Sequence, residues 1–240
     1  VGESTAACVA GVFSLAAGLQ LVASRARLMN SAAGSGAMTS VMAGEQQVRA
    51  ALNGLEDRVA IAAINSPENV VISGFEPEVA AAEARLLAQG IIVRRLRVSH
   101  AFHSPQMRGI EAAFEAAAAE ISYHAPRIPL ISSVTGRPVG PEEMSDPAYW
   151  RRQVSQPVRF RDAMETLRKQ GQGVFLEIGP GSALLTLGKQ CIGQDQQLWT
   201  PSLRRGSCEW SQILNILGRV YLRGAQVDWN GFDQPYRRQR

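Results

Sequence analysis

The sequence predicts an α/β fold: a larger part in which strands and helices alternate around a parallel sheet, interrupted by a smaller βαββαβ unit. Three observations predict it. Past residue 98, short apolar runs at 129–134 and 174–178 alternate with helical stretches, the order that builds a parallel sheet. Between 36 and 98 the elements are short and strand-rich. The length of 240 residues, 45% of them hydrophobic, suits one large domain or one domain carrying an inserted one.

The elements follow in order. Residues 4–13 read as a buried helix built on Ala6, Ala7, Cys8, Val9, Val12 and Phe13, weakened at Gly11. Ser14 is the N-cap of a second helix over 15–29, whose stripe is Leu15, Leu19, Val22, Ala26 and Met29. Gly34-Ser35-Gly36 breaks it. Strands at 37–43, 59–64, 70–73 and 91–98 then alternate with helices at 45–53 and 76–89, the latter ended by Gly90. Asn65-Ser66-Pro67-Glu68-Asn69 supplies the turn between the middle strands. This βαββαβ order is the ferredoxin-like pattern. Beyond it come helices at 107–120, 150–153, 160–170, 182–191 and 210–222, strands at 129–134 and 174–178, and a loop over 136–147.

Composition excludes several functions. A net charge of +4, 6% aromatic residues and no basic run interleaved with aromatics argue against nucleic-acid binding. The weakly basic balance suits an acidic partner or an anionic substrate. Three cysteines, Cys8, Cys191 and Cys208, form no CxxC pair, so neither a disulfide framework nor a zinc site is indicated and a reducing, cytoplasmic setting fits. No apolar run reaches membrane-spanning length, and no signal pattern opens the chain. Val1-Gly2-Glu3 runs straight into a helical pattern without an initiator Met, and Arg237-Arg238-Gln239-Arg240 is an equally abrupt end, so the chain is read as a fragment.

Three places carry candidate chemistry. Two of the three histidines, His100 and His103, fall in Ser99-His100-Ala101-Phe102-His103-Ser104-Pro105, a loop after a predicted strand. Such loops present chemistry on rigid scaffolds, and imidazole moves protons near neutral pH. The pair reads either as hydrogen-bonded loop histidines or as a general base with its neighbour; only His124 is left to complete a metal site. Arg25 lies between Leu21 and Leu28 on an otherwise apolar helical row, whereas Arg27 shares a row with Gln20 and Ser24. A guanidinium on an apolar face needs an anion, supplied by an internal carboxylate, avoided by snorkelling, or brought by a substrate carboxylate. Leu176-Glu177-Ile178-Gly179-Pro180-Gly181 is a strand and turn before a helix, either an anion-binding N-terminus or only a turn.

Taken jointly, these segments resemble the acyltransferase domain of modular type I polyketide synthases, relatives of malonyl-CoA:acyl-carrier-protein transacylases. The resemblance covers essentially the whole chain. It rests on Gly2-Glu3 before Ala6-Ala7-Cys8-Val9-Ala10-Gly11, on Arg25-Ala26-Arg27-Leu28-Met29, on Val98 through Pro105, on Glu177-Ile178-Gly179-Pro180-Gly181 and on Pro201-Ser202-Leu203-Arg204-Arg205. It implies a hydrolase-like parallel-sheet core, at 1–35 and 99–232, with the ferredoxin-like subdomain at 36–98 inserted and the start of a following linker at 233–240. The N-terminal part of that core is expected to be missing.

The family's nucleophile is the Ser of a Gly-His-Ser-x-Gly elbow. Val1-Gly2 matches its last two places, so the resemblance puts the Ser immediately before Val1 and implies an inactive isolated chain. His103 matches the general base, oriented by a backbone carbonyl expected at Gln153, and the Val1 amide matches an oxyanion-hole donor. Arg25 matches the residue that pairs with the malonyl carboxylate. His100 and Phe102, in His-Ala-Phe-His rather than Tyr-Ala-Ser-His, resemble the malonyl-selecting form. Ser4-Thr5 and Ser133 depart from the family pattern, Ser133 standing where Asn is usual.

The implied partners are malonyl-CoA, an acyl carrier protein and covalent neighbours in a synthase, including a ketosynthase-side linker upstream. No metal or redox cofactor, nucleic acid or membrane is expected. Arg94, Arg95, Arg204 and Arg205 are candidates for docking an acidic carrier protein. Two other readings stay open: a thioester hydrolase of similar architecture, and a non-catalytic structural or docking remnant.

Overall fold

The computed structural model describes residues 1–32, 36–140, 142–194 and 196–234. Gly34 and Ser35 of the predicted helix break, and all but the first two residues of the predicted linker, lie outside the described residues.

Two compact units are present. The first comprises Val1–Gln170 with Gln190–Ile192; the second comprises Gly171–Lys189 and the described residues from Gly193 on. The first unit opens with α1 (Gly2–Val9) and α2 (Leu15–Asn30). Helix α1 stops short of the predicted residue 13 because Gly11 adopts φ +83°, a left-handed turn that ends the helix. Ser14 caps α2 as expected, its Oγ accepting the Ala17 N–H at 3.2 Å. The buried face of α2 is not the predicted stripe. Leu15 and Leu19 are exposed, and Gly18, Leu21, Arg25 and Met29 are buried. The helix carries two apolar rows, and Gly18 selects between them: a Cβ there would sit 2.9 Å from the Phe13 ring, so this row alone fits tightly against α1's exit.

The βαββαβ unit forms as the alternation predicts. Strands β1 (Gly36–Val41), β2 (Val59–Ser66), β3 (Asn69–Phe75) and β4 (Val93–Arg95) make an antiparallel sheet in the order β2-β3-β1-β4. Helices α3 (Glu45–Ala51) and α4 (Glu76–Ala88) cover one face. Val41, Val48, Ile61, Ile72, Val79 and Leu86 form its core. Strand β4 is shorter than predicted: pairing ends at Arg95, and one further bond, Leu96 N–H to the Met38 carbonyl at 2.9 Å, carries the chain onward.

Within the first unit the four-stranded sheet packs on the segments that flank it. The sheet's second face, Met38, Ala62 and Val71, is covered by Phe102, and Val158 bridges β2 through bonds of 2.8 Å to Ile64 N–H and the Ala62 carbonyl. Apolar burial and backbone pairing thus tie the inserted sheet to its host.

Helices α5 (Glu111–Ala119), α6 (Pro147–Ser155) and α7 (Phe160–Lys169) complete this unit. Asp146 caps α6 by accepting the Ala148 N–H at 2.9 Å, and Pro147 occupies its first turn. The predicted strand at 129–134 is reduced to one bridge between Ile131 and Pro138. The Ser132 Oγ accepts the N–H groups of Val134 and Thr135, both at 3.2 Å, and turns the chain before a strand extends.

In the second unit β5 (Val174–Glu177) and β6 (Leu198–Pro201) pair in parallel, with α8 (Ala183–Ile192), α9 (Glu209–Tyr221) and α10 (Trp229–Asp233). Phe175 and Trp199 stack across the pair with centroids 4.3 Å apart.

Candidate active site

A cavity of about 500 Å³ opens in the first unit where four pieces meet: the start of α1, one side of α2, Met38 of β1, and the loop from Val98 to His103. Gly36 lets the loop approach the sheet, since a Cβ there would come within 2.6 Å of the Ala101 Cβ. The Ser104 Oγ donates to the Ala101 carbonyl at 2.6 Å and accepts the Gln106 N–H, closing a tight turn around His103. Val22, Met29, Met38, Val98 and Phe102 give the cavity apolar walls, and Arg25, His100 and His103 give it polar ones.

His103 Nδ1 lies 2.9 Å from the backbone carbonyl of Gln156. A carbonyl only accepts, so Nδ1 carries the proton and Nε2 of the neutral ring is left as an acceptor. The carbonyl at Gln153, expected from the sequence, is not the partner. Gln153 is inside α6, where carbonyls run along the axis, whereas Gln156 is the extended C-cap residue (ψ 155°) before Pro157 and its carbonyl turns outward. Burial, then the positive charges of Arg25 and the Val1 amine, lower the His103 imidazole to about 4, with the Gln156 carbonyl opposing them. At neutral pH the ring is an unprotonated base.

Arg25 is 7% exposed, and its Nη1 is buried with no hydrogen-bond partner among the described residues. Burial holds its guanidinium below the usual arginine range, and the charge of Glu3 opposes this. Arg25 makes no ion pair among the described residues, which leaves the snorkelling and internal salt-bridge readings without support. Val1, Arg25, His100, Phe102 and His103 therefore share one cavity. The ring centroids of His100 and Phe102 are 6.2 Å apart, the rings tilted by 47°.

The Gly179-Pro180-Gly181 turn belongs to the second unit. There Glu177 Oε2 accepts the Leu185 N–H at 3.0 Å, and Ser202 bonds both backbone groups of Gly179. The first turn of α8 thus has its own carboxylate, and the turn reading prevails over the anion-binding one. No group of three metal-ligating side chains occurs among the described residues, and no helix among them is long and apolar enough to cross a membrane.

Sequence reasoning missed the Gln156 carbonyl, for which the Gln-Pro step was the available signal. It also missed a half-buried cluster of Glu3, Ser133 and Tyr149, in which Glu3 lies 130 and 146 residues from its two partners.

A neutral imidazole with one free ring nitrogen and a buried arginine without an ion pair among the described residues thus line one cavity. The family model described as "Acyl transferase domain" matches residues 1–227, and the chain belongs to that family. It is 39% identical over 240 residues to the polyketide synthase GfsA of Streptomyces halstedii, covering 98% of this chain and 3% of that protein. Its structure resembles the acyltransferase domain from the second module of the salinomycin polyketide synthase, with a TM-score of 0.91, 42% identity, and coverage of 95% of this chain and 54% of that one. The malonyl-CoA:acyl carrier protein transacylase of Xanthomonas oryzae pv. oryzae matches with a TM-score of 0.81 and 30% identity over 91% of this chain and 69% of that one. The chain thus spans about half the length of the first of these solved domains and a small part of the synthase.

Proposed function

We propose that this chain contributes the base, the carboxylate clamp and the acyl pocket of an acyltransferase that takes malonyl units from malonyl-CoA and passes them to the phosphopantetheine thiol of an acyl carrier protein, in the cytoplasm. One observation carries the reading: a buried Arg25 whose Nη1 has no partner lines the same cavity as His103. A free carboxylate at one end of a thioester would complete that guanidinium with charge-assisted hydrogen bonds.

In the family pattern the nucleophilic Ser precedes Val1. With it in place, the His103 Nε2 takes the hydroxyl proton as Oγ attacks the thioester carbonyl. The Val1 N–H donates to the oxyanion. The C–S bond then breaks, and the imidazolium returns its proton to the leaving CoA thiolate. The carrier thiol repeats the sequence in reverse: it loses its proton to His103, attacks the seryl ester, and the Ser oxygen recovers the proton. His100 and Phe102 narrow the space beside the malonyl α-carbon, which favours an unsubstituted extender. Arg94, which has no ion pair among the described residues, is a docking point for an acidic carrier.

The test compares the 240 residues with a chain carrying Gly-His-Ser and its preceding strand ahead of Val1, each given radiolabelled malonyl-CoA. The extended chain should form a seryl ester and hand the label to carrier protein with ping-pong kinetics. The 240 residues should take none. A stable seryl label on residues 1–240 would relocate the nucleophile, and release of malonate without carrier protein would mark a hydrolase.

A further inference from the structure

The charge of the Glu3 carboxylate acts on Arg25, yet among the described residues the two form no ion pair. Three donors hold it instead. Oε1 accepts the Ser133 N–H at 2.7 Å and the Tyr149 hydroxyl, and Oε2 accepts the Ser133 hydroxyl at 2.5 Å. The network has one direction. Tyr149 is fully buried and spends its single proton on Glu3, so the Ser132 hydroxyl, 2.8 Å away, must donate to Tyr149. Ser132 Oγ in turn accepts the Val134 and Thr135 N–H groups. Three protons of the cluster end on the one carboxylate, and Nη1 of Arg25, which lines the cavity, is left buried without a hydrogen-bond partner among the described residues.

We propose that Glu3 is a positioning residue for Arg25: a counter-charge that compensates the buried guanidinium from a distance while Ser133 and Tyr149 keep the carboxylate from capping it. The proposal rests on the reading of Arg25 as the carboxylate clamp and adds the device that keeps the clamp empty. A carboxylate released from its donors, on a helix packed beside α2, is an internal competitor for the substrate's acid. Ser133, a departure from the family pattern in the sequence, supplies two of the three locking bonds.

The experiment is calorimetric titration of the 240-residue chain with malonate, which needs no nucleophile. The unaltered chain should bind malonate, and Arg25→Ala should abolish binding. Ser133→Ala with Tyr149→Phe should weaken binding about tenfold, the scale of one charge-assisted contact. Adding Glu3→Gln to that pair should restore affinity to within about twofold, because a neutral amide is a poor cap for the guanidinium. A merely structural cluster would lose affinity further in the triple variant. Melting curves check that the buried phenol's loss leaves the fold intact; if it does not, Ser133→Ala alone and Ser133→Ala with Glu3→Gln give the same comparison. Unchanged affinity in the unlocked variants, or no recovery with Glu3→Gln, overturns this proposal and leaves the clamp reading standing. An unaltered chain that takes no malonate overturns both.

Discussion

Arg95 on the edge strand β4 and Arg25 on the cavity wall of α2 are treated in opposite ways. Arg95, with a side chain 40% exposed, has two carboxylates: Glu76 at 2.7 Å and Glu83 at 2.5 Å. Its hydrogen bond to Glu83 is the main cause of a guanidinium held above the usual range. Arg25 is 7% exposed and has no ion-pair partner among the described residues. Stability alone would ask for the reverse, because solvent screens the outer charge while an unpaired inner one costs several kcal/mol. The difference teaches that the outer arginine is paired within the fold while the inner one is left without an ion-pair partner among the described residues, which is what the proposed carboxylate clamp requires.

The largest expected effect breaks the comparison directly. In the extended chain, Arg25→Ala should lower acylation by malonyl-CoA by about 30- to 5,000-fold, the range for truncating one partner of a desolvated charge pair. The same substitution in the 240 residues should raise the melting temperature, since a buried charge without an ion-pair partner is removed. Activity lost together with stability would place Arg25 among structural arginines. Next in size, Phe102→Ser with His100→Tyr should shift competition toward methylmalonyl-CoA by about 10- to 200-fold, the scale of one methyl group in a pocket. An unchanged product ratio, measured with both thioesters present, would remove selectivity from these two positions.

Electrostatic coupling between Arg25 and His103 sharpens the contrast further. With the His103 imidazole lowered by burial and by Arg25, the acid limb of the extended chain's acylation rate should lie well below 6.5. Arg25→Ala should move that limb upward, because the arginine's charge is one cause of the lowering. The stability consequence has a definite sign. Between pH 6.5 and 4 the unfolded chain binds a proton at His103 that the folded chain refuses. Stability is therefore fully present above 6.5 and falls as pH drops through that window, which acid melting curves would show. The smallest effect belongs to the outer arginine: Arg95→Ala should cost at most about 1 kcal/mol in denaturant unfolding and leave malonate binding untouched.

Legibility in the sequence followed the range of the interactions. The four-strand unit was readable because its alternation and turns are local, and Ser14 announced a helix start that the structure keeps. Arg25 was visible as a charge in an apolar row, although the burial of that row rather than the Leu15–Leu19 side depended on how Gly18 meets Phe13. The strand expected at 129–134 failed on a single hydroxyl, Ser132, that bends the backbone toward itself. The host carbonyl of His103 was misplaced by three residues, within one helical turn, because periodicity does not say where α6 unwinds; Pro157 does. The Glu3–Ser133–Tyr149 cluster had no local signature at all, being assembled by packing across more than half the chain.

His103 is the one residue other than glycine with a positive φ among the described residues, at 56°. For a side chain branching into an imidazole this left-handed geometry costs about 1–2 kcal/mol, and Asn or Gly would occupy the same turn with less tension. A loop shaped only for endurance would therefore drift toward those residues. Keeping an imidazole there means that the turn carries a cost its shape alone does not require, set against one contact, that of Nδ1 with the Gln156 carbonyl.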